Sequence, residues 1–161
     1  APDYAIKVTA VKMLVTGSTR CVDTLFPVVR PRVKGSGMAV FAGRCQCGKV
    51  RVSVRGEPLR IGICHCANCR KESGSAFTFY AVWPARAFER VGETSEFNGQ
   101  HFCSRCGSRL FSIGDREAEI KLGILSEAPT SLVPSYELWT KRREPWLRPI
   151  EGAEQYEEDR K

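Results

Sequence analysis

From Met38 onward, hydrophobic and polar residues alternate along much of the chain with a period of two. That is the spacing of strands that bury one face. The segment "KVRVSVR" places Val50, Val52 and Val54 on one side and Lys49, Arg51 and Arg55 on the other. "LRIGI" repeats the alternation through Leu59, Ile61 and Ile63, and "AFTFYAVW", with Phe77, Phe79 and Val82, reads as a largely buried strand. "SRLFSI" followed by Gly114-Asp115 and "AEIKLGIL" predicts a hairpin or meander, with Ala118, Ile120, Leu122 and Ile124 alternating. "SYELWT" offers a last strand before the polar, acidic tail "EGAEQYEEDRK". One short helical turn is expected, about 67–73, stopped by Gly74. The pattern predicts a mainly β fold, a single domain of short antiparallel sheets.

Residues 1–37 read differently. They hold the isolated Cys21, the basic stretch "RPRVK" and a "GSG" at 35–37, directly before Met38. They are expected to form an N-terminal extension or leader ahead of a domain spanning 38–161. The alternation in "AIKVTAVKM" leaves open a strand added to the main sheet.

Composition narrows the class. The chain has 161 residues, of which 42% are hydrophobic, enough for one domain with a real core. No apolar run approaches the roughly 18 residues that would span a bilayer. The opening residues lack the pattern of a secretory signal, so a cytoplasmic, reducing location is the expectation. The net charge of +7 permits anionic partners without naming one. Bound thiolates would lower it, since four of them on one zinc leave −2 and three leave −1, which weakens a nucleic-acid reading.

Eight cysteines change the picture most. Seven fall in tight groups: Cys45 and Cys47; Cys64, Cys66 and Cys69; Cys103 and Cys106. Neighbours so close in sequence make poor disulfides and good metal chelates, and a chain of this length needs no covalent staples. "CQCG" and "CSRCG" each carry glycine after the last cysteine, where a metal knuckle turns tightly and aims backbone N–H groups at sulfur. Together they supply four thiolates, enough for a closed tetrahedral site tying a loop near residue 46 to one near 105 across the two ends of the sheet. The middle group, "CHCANCRKESGS", opens the short helix, where a helix N-terminus favours thiolate. It is one ligand short of four. His65, His101 and Cys21 are each open as the missing ligand, and the alternative is a vacant position, where chemistry occurs on zinc.

The order C-x-C, C-x-C-x-x-C-R, C-x-x-C-G resembles the glutathione-dependent formaldehyde-activating enzyme family, whose domain also occurs in centromere protein V. "GRCQCGKVRVSV", "CHCANCRKESGSAF", "FCSRCGSRLF" and "YELWTKRREPWL" carry the resemblance, which runs from about Met38 to the C-terminus. It implies a structural Zn2+ held by Cys45, Cys47, Cys103 and Cys106. It implies a second, labile Zn2+ held by Cys64, Cys66 and Cys69 at the active site, its fourth position open to water or a substrate thiol. The activity implied is carbon–sulfur lyase or synthase chemistry, glutathione adding to formaldehyde to give S-hydroxymethylglutathione.

Glutathione carries two carboxylates, and Arg70 is the nearest arginine fork to receive one, with Lys71, Ser73 and Ser75 close by. Phe77, Phe79, Trp83, Trp139 and Trp146 are candidates for pocket walls or simply core. A competing reading is a non-catalytic zinc module for nucleic acid or protein partners, with "TKRREPWLR" as a phosphate-contacting strip. Glu144 interrupts that strip and the tail is acidic, so nucleic acid is the less favoured partner. No membrane partner is expected, and oligomeric state is not legible in the chain.

Overall fold

The computed structural model describes residues 38–160. The readings placed on 1–37, including Cys21, the leader and its possible strand, lie outside the described residues. The chain runs through β1 (Val40–Arg44), β2 (Arg51–Arg55), β3 (Arg60–Cys64), α1 (Ala67–Ser73) and β4 (Thr78–Pro84). It continues with β5 (Phe88–Val91), β6 (Thr94–Phe97), β7 (Gln100–Cys103), β8 (Arg109–Ile113) and β9 (Glu117–Lys121), then β10 (Tyr136–Leu138) and β11 (Glu154–Gln155). Among the described residues no helix is long and apolar enough to cross a membrane.

Two sheets result. A three-stranded antiparallel sheet has the order β1-β2-β5, and an eight-stranded sheet has the order β11-β10-β3-β4-β9-β8-β7-β6. The expectation of antiparallel pairing holds except at one edge, where β10 runs parallel to β3 and β11 parallel to β10. The tail therefore contributes a strand instead of ending as a solvated run.

Alternation does what it predicts in β2 and the two residues before it: Val50, Val52 and Val54 are buried while Lys49, Arg51 and Arg55 are exposed. In β4 burial is continuous, because the strand is covered on both faces. Ala81 and Trp83 enter a core cluster with Val50, Val52, Val54, Leu110, Phe111, Ala118 and Ile120, which draws residues from both sheets. Tyr80 and Val82 enter a second cluster with Cys64 and Tyr136. The two cysteine groups divide the same way, Cys45 and Cys103 with the first cluster and Cys64 with the second.

Two expectations are corrected here, and four strands carried none. Leu59 precedes β3 and is exposed, so the alternation in "LRIGI" begins later than its sequence suggests. Strand β9 stops at Lys121, and 122–124 form a 3-10 turn that still buries Leu122. Strands β1, β5, β6 and β7 carry little periodic signal because they are short and bury at most one residue each. The β6–β7 hairpin did have a readable mark in Asn98-Gly99, both with positive φ, the signature of a tight hairpin turn.

Gly62 lets β10 lie against β3. A methyl group built there would sit 2.4 Å from the ring of buried Tyr136. Gly62→Ala is expected to cost about 1–3 kcal/mol through this overpacking. Thermal melts check it, and an unchanged melting temperature would show that Tyr136 is free to shift.

Candidate metal centres

The first group forms where the two sheets meet. Cys45 follows β1 of the small sheet and Cys103 ends β7 of the large one. The Sγ atoms of Cys45, Cys47, Cys103 and Cys106 all lie within 4.8 Å of one another. Cys45 and Cys47 are 3.5 Å apart and Cys47 and Cys103 3.7 Å. Four sulfurs at about 2.3 Å from a tetrahedral zinc would be about 3.8 Å apart, so the donor set fits that ion. The cross-link joins one sheet to the other, which corrects the expectation of a tie between two ends of one sheet. Gly48 and Gly107 both take positive φ, 74° and 73°, as the knuckle turns require. The Val50 N–H points at Cys45 Sγ at 3.2 Å, and the Gln46 N–H donates to Ser108 Oγ at 3.0 Å across the two loops.

The surroundings of these sulfurs divide them when no cation balances them. The Ser108 hydroxyl and backbone hydrogen bonds pull the Cys106 thiol down to about 5. Cys47, although the Lys49 N–H favours its thiolate, is pushed up to about 11 by desolvation and by its sulfur neighbours.

The second group sits at the start of α1. Cys66 is the N-cap, and its Sγ accepts the Cys69 N–H at 3.4 Å. The helix is short and stops at Gly74 with φ 61°, as its sequence indicates. The Sγ atoms of Cys64, Cys66 and Cys69 lie within 4.8 Å of one another, and no further histidine, cysteine or carboxylate joins them among the described residues. Cys69 is held in place through its carbonyl, which accepts Thr78 Oγ1 at 2.8 Å and Ser73 Oγ at 2.7 Å. The expected thiolate-favouring effect of the helix start is overridden there. A hydrogen bond with Cys64, together with burial and the nearby sulfur charge, drives the Cys69 thiol far above its ordinary value. A cation among the sulfurs would reverse that balance, and its arrival would release protons.

Neither histidine enters the trio. His65 is fully buried, with Nε2 3.1 Å from Glu137 Oε2 and Nδ1 without a hydrogen-bond partner among the described residues. His101 lies 3.2 Å from Thr94 Oγ1 through Nδ1 and stacks on Phe111. Glu137, which the sequence did not single out, is the hub behind the second group. It is fully buried and accepts from His65, from Arg143 Nη1 at 3.2 Å and from Gln155 Nε2 at 3.0 Å, as well as from the Ile150 N–H. The only advance sign was an acidic residue inside an apolar strand, "YELW".

Arg70 does not stand free. Its Nη2 donates to Glu144 and its Nη1 to the Arg142 carbonyl at 3.0 Å. Lys71 is exposed. Of the aromatic candidates, Trp83 is core, whereas Phe77 and Phe79 line a cavity of about 530 Å3 between α1 and the Cys106 loop. Trp146 is exposed. Trp139, at φ 57°, donates to Asp159 Oδ1 at 2.8 Å. On the cavity floor, Lys121 is buried between Glu72 at 2.6 Å and Glu119 at 2.7 Å. Ser75 makes only a local turn bond, its N–H donating to Ser73 Oγ.

Among curated proteins none matches the chain. A crystal structure of a Rhodobacter sphaeroides protein is similar at 21% identity, covering 58% of this chain and 97% of that one, with a TM-score of 0.44. The family model of the glutathione-dependent formaldehyde-activating enzyme matches residues 40–142, more than half of the chain and a span that contains all seven clustered cysteines. The chain therefore belongs to the glutathione-dependent formaldehyde-activating enzyme family.

Proposed function

We propose that this protein is a carbon–sulfur lyase or synthase that holds two Zn2+ ions and joins glutathione to formaldehyde as S-hydroxymethylglutathione. One observation carries the reading: three converging sulfurs with no fourth protein ligand among the described residues. They contrast with a complete set of four at the sheet junction. Cys45, Cys47, Cys103 and Cys106 are assigned to a structural Zn2+, and Cys64, Cys66 and Cys69 to the labile Zn2+ of the active site.

The reaction balances simply. The thiol sulfur supplies the electron pair for the new S–C bond, and the C=O π pair moves to oxygen. That oxygen takes up a proton, while the S–H proton leaves to solvent. Zinc, when bound, supplies a Lewis-acidic position that favours the thiolate form of an arriving thiol. The chain's own part is positioning. Cys66 is fixed as a helix cap, Cys69 is pinned by Thr78 and Ser73, and the His65–Glu137 pair holds the backbone between Cys64 and Cys66. Thiols add to formaldehyde unaided, so bringing the reactants together accounts for much of the gain.

The free state of all seven described cysteines suits a reducing compartment, and we assign the protein to the cytoplasm. Two of the four cations in the rival nucleic-acid strip are occupied from within: Lys141 pairs with Glu158, and Arg143 with Glu137 and Gln155. The test is zinc content with and without glutathione, alongside turnover of formaldehyde. Two zinc ions per chain are expected, one of which exchanges faster when the thiol is present. One zinc, or two that ignore glutathione, would overturn the assignment.

A further inference from the structure

A second cavity, of about 310 Å3, opens on the small sheet, and its lining includes no cysteine and no residue of α1 among the described residues. Its volume falls in the range of about 300–1,000 Å3 usual for small-molecule sites. Strand β2 turns Val52 and Val54 into the core, so Arg51, Ser53 and Arg55 stand on the opposite face. Strand pairing fixes what lies beside them. Arg44 of β1 and Val91 of β5 flank Arg51, while Ala42 and Glu89 flank Ser53. Two arginines thus sit directly opposite each other, a placement that their like charges oppose.

The neighbouring charges do not relieve that pair. Arg55 takes up Glu89, with Nη2 at 3.2 and 3.3 Å from its two oxygens. Glu89 is the one acidic residue lining the cavity among the described residues. Arg90 also borders it, with its guanidinium turned to Thr94 Oγ1 at 3.1 Å. Among the described residues, neither Arg44 nor Arg51 has a carboxylate partner. Ser53 and Ser126 add hydroxyls to the lining. The Ser126 N–H donates to the Ala42 carbonyl at 2.9 Å and holds its loop against β1.

We propose that this cavity is a phosphate site, which takes a small phosphate monoester between Arg44 and Arg51. A dianion matches two uncompensated cations, and an oxyanion bridging two guanidinium forks turns a repelling pair into a chelate. The tetrahedral group has oxygens left over for the Ser53 and Ser126 hydroxyls, which donate to them. Ala42 is small enough to keep the floor open, and Val91, 71% exposed, gives the organic part an apolar edge. Binding is sensitive to salt, because both arginines are exposed.

The experiment is calorimetric titration of the zinc-loaded full chain with inorganic phosphate and with glycerol 3-phosphate, at two chloride concentrations. One saturable site per chain is expected for both, weaker at the higher salt. Arg44→Gln and Arg51→Gln should each weaken binding about tenfold, as expected for a lost charge-assisted hydrogen bond. Arg116→Gln, at an exposed arginine in the β8–β9 turn, should bind like the parent. Equal weakening in all three variants would show a diffuse attraction for anions and overturn the site, as would the absence of saturable binding. Uptake of inorganic phosphate with exclusion of the ester would overturn the monoester assignment. In phosphate-free buffer the Arg44 and Arg51 variants should melt no lower than the parent. A lower melting temperature in both would contradict the opposed pair on which the site is built.

Discussion

Cys103→Ser should unfold or grossly destabilise the domain, whereas Cys66→Ser should leave it folded and inactive. Cys103 is buried at the end of β7, and its sulfur belongs to the group that joins the small sheet to the large one. Structural zinc sites contribute on the order of 10 kcal/mol to folding, against a total stability of about 5–15 kcal/mol for an ordinary domain. Losing one of four ligands there removes a large part of what holds the two sheets in register. Cys66 caps a short helix none of whose residues is buried, so its substitution removes the zinc ligand proposed above and an N-cap acceptor and little else. The measurements are circular-dichroism melts, zinc content and turnover for both variants. A comparable fall in melting temperature for the two would contradict the division into one structural and one active centre.

Glu137→Ala is expected to destabilise the protein by about 3–5 kcal/mol, because it strands a buried histidine, an arginine and two further donors around an emptied centre. The effect should reach the metal too. His65 lies between Cys64 and Cys66, and its own N–H donates to the Leu138 carbonyl beside Glu137. Zinc at the three-sulfur group should therefore be released to a chelator faster than in the parent protein, while the four-sulfur zinc is retained. Acid provides an independent check. Burial alone would raise the Glu137 carboxyl, but the Ile150 N–H, Gln155, His65 and Arg143 outweigh it and hold the group below its ordinary 4.5. A folded value below the unfolded one means this stabilisation is present above about pH 4.5 and is lost as pH falls through the lower folded value. The melting temperature of the parent should thus fall more steeply below that pH than that of Glu137→Gln. Parallel acid profiles would show that Glu137 carries no net charge-dependent stability.

Residue identity and spacing made part of this molecule readable in advance. The β2 alternation, the buried β4 run and the β8–β9 hairpin follow from local periodicity, since a strand's faces are set by consecutive side chains. The helix from Ala67 to Ser73 follows from its own cap and stop. The placing of neighbouring cysteines within each knuckle is likewise local, and glycine after the last cysteine of each outer pair marks the turns that positive φ later requires. The short edge strands β1, β5 and β6 were not readable, because pairing with a neighbouring strand, and no pattern of their own, creates them.

Cysteine spacing and strand alternation, by themselves, determined a mainly β domain with seven metal-competent thiols in two sets. Only the tertiary structure decided that the set of four clamps one sheet to the other, and that neither histidine completes the set of three. It also decided that Arg70 is committed to Glu144. The physical reason is separation along the chain: Glu137 lies 72 positions beyond His65, and Glu144 lies 74 beyond Arg70. A buried charge or a paired cation is defined by partners at that distance, and no local pattern records them.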